Sequence, residues 1–356
     1  MKKNLKVFKN KRILITGHTG FKGSWLSLWF KNLGADVMGV SIDIPTKPSH
    51  FQLINLEKKV KSRFLDITDL KELKKIFISF KPDYVFHLAA QSLVKKSYKN
   101  PLLTYYTNAI GTLNVMESLK SLKNNCIAVI ITSDKSYKNL EIKRGYKEED
   151  ELGGADPYSS SKASAELIIQ SYFKSYLVDK KNIRLAVARA GNVIGGGDWS
   201  ENRLIPDCVR SWSKNKKVII RNPDATRPWQ HVLDALYGYI ILSLNLRKNR
   251  KLNGQAFNFG PGLNNNYKVI DVLTLVKKLW QNIFWKTIKL RKKEFESSLL
   301  KLNSSKANLV LNWKCNLSFR ESIYFTTEWY KYFYTKKKNM YDFSIKQIDL
   351  YIKKLK

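Results

Sequence analysis

Short apolar runs recur along the first half of the chain. Between them lie longer stretches in which apolar positions return every three or four residues. The runs are Arg12–Thr16, Val37–Ser41, Phe64–Leu65, Tyr84–Leu88, Ile127–Thr132 and Leu185–Arg189. The longer stretches are Ser24–Leu33, Leu70–Phe80, Tyr105–Leu122 and Ser159–Leu177. A period of two or a continuous apolar run suits a buried strand, and a period near 3.6 suits an amphipathic helix. Their alternation predicts an α/β fold, a Rossmann-like, doubly wound parallel sheet. After Gly191 the alternation breaks into Gly/Pro-rich loops and shorter elements, so a smaller C-terminal lobe is expected there. The division predicted is 9–190 with 228–260 returning to it, a lobe from 191–227 and 261–335, and a basic C-terminal tail over 336–356, either a peripheral helix or an extended tail.

The first strand runs into Gly17-His-Thr-Gly20-Phe-Lys-Gly23, which opens the first helix. Gly17 suits a turn closed to other residues, Gly20 lets backbone approach a pyrophosphate, and Gly23 permits close helix–strand contact. The helix N-terminus adds N–H groups and a partial positive charge for an anion. Thr19 and Phe21 lie within the same loop. The spacing is G-x-x-G-x-x-G rather than the commoner G-x-G-x-x-G, so its position on a strand–turn–helix carries the argument. This makes 9–190 a dinucleotide-binding domain and the lobe the place for substrate. Asp43, twenty residues after Gly23, stands where an acid accepts hydrogen bonds from ribose hydroxyls, though a solvated loop Asp reads the same way. No Arg follows that strand to meet a 2′-phosphate, which favours NAD over NADP. Asp66 and Ile67 after the third strand, and Leu88, Ala89 and Ala90 after the fourth, would flank the adenine and the nicotinamide end.

The strand ending at Thr132 is followed by Ser133, Asp134 and Lys135, and Tyr158 and Lys162 stand four apart on one helical face. A phenol with a pKa of ~10 is a poor base at neutral pH. A Lys ammonium one turn away and an oxidised nicotinamide would lower it. Tyr158 could then take a proton from a sugar hydroxyl as hydride leaves the same carbon, with Ser133 hydrogen-bonded to that oxygen.

With these residues in order, the chain resembles the extended short-chain dehydrogenase/reductases acting on nucleotide sugars, in their CDP-glucose 4,6-dehydratase branch. The resemblance rests on Gly17–Trp25, His87–Gln91, Thr132–Lys135, Asp156–Ser159, Arg189–Trp199 and Arg221–His231, over roughly residues 10–260. It implies an NAD-dependent hydro-lyase that oxidises C4 of the sugar, eliminates water across C5 and C6, and reduces C6, feeding deoxysugar synthesis for surface glycans such as lipopolysaccharide O-antigen. Asp134 is then the candidate acid for the C6 hydroxyl. Lys135 is the candidate C5 base, or else a stabiliser of the enolate. Gln91, Asn192, Arg203, Arg221 and Arg227 are the implied substrate contacts, Arg227 first among the arginines because a guanidinium binds phosphate oxygens in pairs. Val218–Ile220 would wall the base. Trp229 and His231 suit core packing as well as ligand contact, and Gly195–Gly197 suits either a close approach or a flexible turn. The resemblance also implies a homodimer or tetramer, with Tyr105–Leu122 and Ser159–Leu177 as its interface. The rivals are a dehydratase or epimerase of another nucleotide sugar, and a non-catalytic NAD- or nucleotide-sugar-binding module.

Charge alters this picture little. There are 64 Lys+Arg against 29 Asp+Glu, a formal net charge of +35, which raises a nucleic-acid partner. The basic residues are spread along the chain, 51 Lys to 13 Arg, without a nucleic-acid-binding motif, so no nucleic-acid partner is expected. No run approaches the ~20 apolar residues of a membrane span, and the first ten residues lack the apolar stretch of a signal peptide. Cys126, Cys208 and Cys315 lack the spacing of a disulfide framework or a zinc site. A cytoplasmic protein with reduced thiols and no metal is expected.

Overall fold

A computed structural model of the chain describes residues 5–263, 265, 267–280, 283–287, 301–336 and 339–355. Seven strands form one sheet: β1 (Arg12–Thr16), β2 (Asp36–Ser41), β3 (Lys61–Phe64), β4 (Tyr84–His87), β5 (Cys126–Ile131), β6 (Ile183–Ala190) and β7 (Ala256–Phe259). Their order is β7-β6-β5-β4-β1-β2-β3, and every neighbouring pair is parallel. The order reverses between β1 and β4, which opens a crevice at their carboxyl ends. The strand alternation feeds two cores. Ile13 and Ile15 pack with Trp25, Trp29 and Phe30 on one face. Leu14 packs with Phe77, Val115 and Ile169 on the other.

The helices that matter to the site are α1 (Phe21–Asn32), α2 (Leu70–Phe80), α3 (Gly111–Lys120), α4 (Pro157–Tyr172) and α5 (Val232–Lys248). Two of the expected long helices are interrupted. Tyr106–Ile110 is a π-turn ahead of α3, and Phe173–Leu177 is another after α4. A π-turn rotates the side chains beyond it, and such turns cluster at functional sites. Asn108 in the first donates to the Gln91 carbonyl (3.1 Å) and to Ser161 Oγ (2.9 Å), tying the post-β4 loop to α4.

The later part builds three small pairings: Val193–Ile194 with Gln230–His231, Thr226–Arg227 with Tyr267–Lys268, and Val218–Ile220 with Trp285–Thr287. Residues 288–300 of the expected lobe lie outside the described residues. The basic stretch 336–356 takes the helical alternative rather than that of an extended tail. Met340–Lys354 forms a helix, α7, packed beside α6 (Phe319–Lys336). Met340, Ser344, Gln347, Ile348, Tyr351 and Leu355 are buried at helical spacing, while Lys346, Lys353 and Lys354 face outward. Ser344 Oγ meets His50 Nε2 (3.2 Å), and His50 Nδ1 meets Ser24 Oγ on α1 (2.9 Å). The C-terminal helix thus leans on the helix that carries the glycine loop. Positions 337, 338 and 356 of this stretch lie outside the described residues.

Candidate active site

Gly17, at φ +76°, makes the first turn after β1, and its N–H donates to the Val40 carbonyl of β2 (2.7 Å). A Cβ there would lie 2.7 Å from the Ala89 backbone nitrogen, and one on Gly23 would lie 2.0 Å from the Gly17 carbonyl oxygen. Both contacts are impossible for a real side chain, so the loop closes against the post-β4 segment only because these residues are glycine. Gly20 is the N-cap of α1, without a side chain over the helix end. The cradle fits a dinucleotide phosphate: glycine backbone, a free helix N-terminus and the crevice at the switch point. Thr19 Oγ1 donates to the Asp43 carbonyl (2.6 Å), which brings the exposed Asp43 beside the loop. Asp66 accepts from Thr68 N–H (2.9 Å) in a tight turn. Ile67 is buried, and its carbonyl accepts from Asn114 of α3 (3.0 Å).

His18 went unremarked in the sequence. It fills the space under β2, with Nδ1 2.9 Å from Ser41 Oγ and Nε2 2.5 Å from Ser62 Oγ. Burial pulls its pKa down to about 4, so it is neutral. Gly39 is needed for the same reason, since a Cβ there would lie 2.1 Å from the imidazole. The neighbouring β3 also places Arg63 opposite Val40. Strand alternation sends it to the face opposite Ser62.

The chemistry-bearing side chains gather at the carboxyl end of β5. Ser133 Oγ donates to Asp134 Oδ1 (2.9 Å) and also accepts from the Lys135 N–H (3.2 Å). Gly191, just past β6, lies beside them, and a Cβ there would come within 2.9 Å of Asp134 Oδ2. Tyr158 and Lys162 come from α4, whose N-cap Asp156 accepts from the Tyr158 and Ser159 N–H groups (both 3.0 Å), with Pro157 at the first helical position. Ser133, Asp134, Tyr158 and Lys162 are all buried. Burial raises the pKa of Asp134 from its ordinary value, against the pull of Lys135, a hydrogen bond from Ser133, and Lys22.

Burial raises the Tyr158 phenol to about 12, with Ser133 the largest opposing influence; this is the shift that Lys162 and an oxidised nicotinamide together were expected to oppose. Desolvation also lowers Lys162 to about 8, opposed by Glu166 one turn further along α4. Without an added positive charge nearby, burial outweighs a cation that is itself poorly solvated.

Lys22 is the chief residue that the sequence reading missed. It lies between the loop glycines, where it looks like a solvated helix position. Its Nζ donates to the Tyr239 hydroxyl of α5 (3.3 Å), and it feels Arg203, Asp134, Lys162 and Asp198; desolvation lowers it to about 8. Arg203 belongs to the same cluster through an ion pair with buried Asp198 (2.9 Å), which raises its pKa.

The other expected substrate contacts divide. Gln91 is buried with its amide engaged: Oε1 accepts from Leu93 N–H (2.7 Å), and Nε2 donates to the Leu93 carbonyl and Thr104 Oγ1. It shapes the loop rather than presenting a free amide. Asn192 is exposed just past β6. Arg221 is exposed beyond Val218–Ile220, and Arg227 is half-buried opposite Tyr267. Ile219 is also exposed. Trp229 donates to the Tyr267 carbonyl, and buried His231 caps α5, so both pack the fold. Gly195–Gly197 is a close approach: Phe21 and Val232 press on Gly195, Trp329 on Gly196 and His50 on Gly197.

Beneath the site lies a buried ion pair, Arg189–Glu166. Glu166 Oε1 receives Arg189 Nε (2.8 Å), and Oε2 receives Nη2 (3.0 Å). Thr132, just before Ser133, donates to Glu166, and Arg189 donates to Tyr137 just after the catalytic turn. The segment 132–137 is thus pinned at both ends.

The GDP-mannose 4,6 dehydratase family matches residues 14–326. The chain belongs to this family. Among its relatives, the CDP-glucose 4,6-dehydratase of Salmonella typhimurium is 42% identical over 91% of each chain. The dTDP-glucose 4,6-dehydratase of the same organism is 26% identical over 90% of this chain and 92% of its own. The UDP-glucose 4-epimerase of Mycoplasma genitalium is also 26% identical, over 91% and 97%. Among solved structures, an epimerase from Methanothermobacter thermautotrophicus superposes with a TM-score of 0.82 at 24% identity, covering 93% of this chain and 95% of its own. Family membership accounts for the placement of Ser133, Tyr158 and Lys162 around one crevice.

Proposed function

We propose that this chain is an NAD-dependent CDP-glucose 4,6-dehydratase, converting CDP-glucose to CDP-4-dehydro-6-deoxyglucose. The observation that carries the reading is a protonatable, buried Asp134 with Lys135 beside it, next to Tyr158, in a chain 42% identical to a CDP-glucose 4,6-dehydratase along nearly its whole length. A 4-epimerase needs a C4 acid–base group but has no water to eliminate, so it has no use for a second acid.

The Gly17–Gly23 loop, Asp43 and the post-β4 segment would hold the dinucleotide. When bound, the nicotinamide accepts hydride from C4 and returns it to C6. Tyr158 takes the C4 hydroxyl proton, with Ser133 hydrogen-bonded to the same oxygen. The resulting ketone acidifies C5–H, and Lys135 removes that proton or stabilises the enolate. Asp134 gives a proton to the C6 hydroxyl, which leaves as water. Arg203 and Lys22 supply positive charge beside the reacting groups, and Asn192, Arg221 and Arg227 would hold the nucleotide diphosphate.

The protein would act as a homo-oligomer in the cytoplasm. Leu102, Tyr106 and Ile110 are exposed at four-residue spacing, and Leu167, Tyr176 and Val178 are exposed on and after α4. Of these, Tyr106, Ile110, Leu167 and Tyr176 fall within Tyr105–Leu122 and Ser159–Leu177, the stretches expected to mediate self-association, and Leu102 and Val178 lie just outside them. Cys126, Cys208 and Cys315 are free thiols, which suits a reducing compartment.

The test is to incubate the protein with NAD, and in parallel NADP, and each of CDP-, dTDP-, UDP- and GDP-glucose, and to follow loss of water by mass spectrometry. Conversion of CDP-glucose alone is expected. Clean conversion of another nucleotide, with CDP-glucose untouched, would overturn the substrate. Epimerisation without water loss would overturn the reaction. Light scattering after size exclusion tests the oligomer.

A further inference from the structure

Two arginines of the chain pair with a buried carboxylate in different ways. Arg189 donates to both oxygens of Glu166, at 2.8 and 3.0 Å, and neither side chain is open to solvent. Arg203 gives Asp198 Oδ2 a single nitrogen, Nη1 at 2.9 Å, and its side chain is 37% exposed against 5% for Asp198. Its Nε and Nη2 meet no acceptor among the described residues. A guanidinium presents five N–H donors in a flat fork that matches carboxylate and phosphate oxygens. In Arg189 the fork is committed to the fold. In Arg203 one edge is held and the other donors stay open to a ligand.

Asp198 is itself fixed from several sides. Its Oδ1 accepts from the Ser200 N–H (2.9 Å), its N–H donates to the Tyr330 hydroxyl of α6 (3.1 Å), and its carbonyl accepts from the same hydroxyl. Two residues earlier, the Gly196 carbonyl accepts from Trp25 Nε1 of α1 (2.8 Å). Gly197 turns the chain between them at φ +85°. The segment starts with Gly191 against Asp134 and meets Phe21 at Gly195. It therefore runs from the chemistry at β5 to the first turn of the glycine-loop helix. Arg203 stands at its far end, as N-cap of the helix Leu204–Trp212. Lys22 and Tyr158 both feel the Arg203 charge, which agrees with that course.

We propose, on the nucleotide-sugar reading of the site, that Asp198 is a positioning residue: it holds one edge of Arg203 so that the remaining N–H groups meet a phosphate oxygen of the nucleotide diphosphate. Fixing a long arginine side chain costs rotamer entropy, and here the fold bears that cost before the ligand arrives. Asp198 touches no substrate atom and acts through Arg203.

Calorimetry on the NAD-loaded chain tests this, with CDP as the probe. Asp198→Asn keeps the volume and an oxygen for the Ser200 N–H but loses the charge that grips Arg203. CDP affinity should fall on the order of tenfold, with NAD affinity unchanged. The sign is decisive, because removing a negative charge beside an anion would by itself tighten binding. Arg203→Lys leaves the buried acid a partner but has no second edge, and should lose as much. In an Arg203→Met background, Asp198→Asn should add nothing further. Tighter CDP binding by Asp198→Asn, or wild-type binding by Arg203→Lys, would show that charge alone matters and overturn the positioning role. Additive losses in the double variant, or an equal fall in NAD affinity, would make Asp198 a support of the loop and overturn it too. If the wild-type chain binds UDP, dTDP or GDP in place of CDP, the substrate reading fails instead, and the same variants measured with that nucleotide still decide for or against Asp198.

Discussion

All four histidines of the chain are buried, and this predicts a steep loss of stability in mild acid. Burial pulls His18 down to about 4 and His50, His87 and His231 to about 3. In the unfolded chain each titrates near 6.5. Between those values the unfolded chain binds more protons than the folded one, so stability falls as pH drops through 6.5 toward 3–4. At pH 5 the cost is about 2 kcal/mol per histidine, and about 8 kcal/mol for the four. Asp234 works the other way. It is buried in α5 and held up to about 7, so it keeps a proton that the unfolded carboxyl has released. That contributes about 3 kcal/mol at pH 5 relative to pH 8. The histidines win, leaving a net loss of about 5 kcal/mol, within the ~5–15 kcal/mol that typically holds a fold together. The assay is urea unfolding followed by tryptophan fluorescence at pH 8, 6.5 and 5. His231→Gln should shrink the span between pH 8 and pH 5 by about 2 kcal/mol, and Asp234→Asn should widen it. A wild-type span under about 1 kcal/mol, or a gain in acid, would refute the reasoning.

Glu166→Ala leaves the Arg189 guanidinium buried without its carboxylate and should cost about 3–5 kcal/mol of unfolding free energy; Glu166→Ala with Arg189→Met should recover part of it, and a single-variant loss below about 1 kcal/mol would contradict the buried pair. Gly23→Ala drives a Cβ to 2.0 Å from the Gly17 carbonyl, so NAD binding measured by calorimetry should fall at least tenfold while far-UV circular dichroism keeps its helical signal. Lys22→Met removes a cation that favours ionised Asp134. Asp134 should then stay protonated to higher pH, moving the alkaline limb of the dehydration rate upward; an unmoved or lowered limb would separate Lys22 from the acid.

The fold was legible wherever burial writes a simple period. Five of the seven sheet strands stand out as apolar runs, and α2 has the bounds Leu70–Phe80 that its spacing predicts; β3, Lys61–Phe64, is polar and shares only Phe64 with the expected run Phe64–Leu65. The seventh strand, Ala256–Phe259, carries Asn258 in the middle of its apolar run. Asn258 belongs there because Tyr137 donates to its Oδ1 (2.8 Å) and its amide donates to the Tyr146 carbonyl (2.8 Å). Helix α7 was left open between a peripheral helix and a tail for a different reason. Its stripe is at helical spacing, but Ser344, Gln347 and Tyr351 occupy core positions, and lysines dominate what the eye meets first. Those polar residues are buried because His50, the Phe325 carbonyl and Asp234 wait for them across the interface. Sequence shows the donor and not the acceptor.

The site divides along the same line. Ser133, Asp134, Lys135, Tyr158 and Lys162 could be named because they sit in two short segments, one at a strand end and one on a helix, whose geometry is local. Lys22 and Gly191 could not. Their roles depend on α1, β5 and β6 meeting at one point, where Lys22 reaches Asp134's field and Gly191 clears 2.9 Å beside its carboxylate. The desolvation of the Tyr158–Lys162 pair was not legible for a related reason. Proximity of Lys162 to Tyr158 is readable from a spacing of four, but desolvation of both is a property of the packed crevice. There it raises the phenol and lowers the ammonium. The net charge of +35 misleads for the converse reason. Most of those cations are solvated and screened within about 8–10 Å at ordinary ionic strength. Lys22, Lys162 and Arg203 lie in the crevice, where each unit of charge acts in a far lower dielectric. Three cations placed by tertiary contact therefore bear more on the chemistry than the whole surface excess.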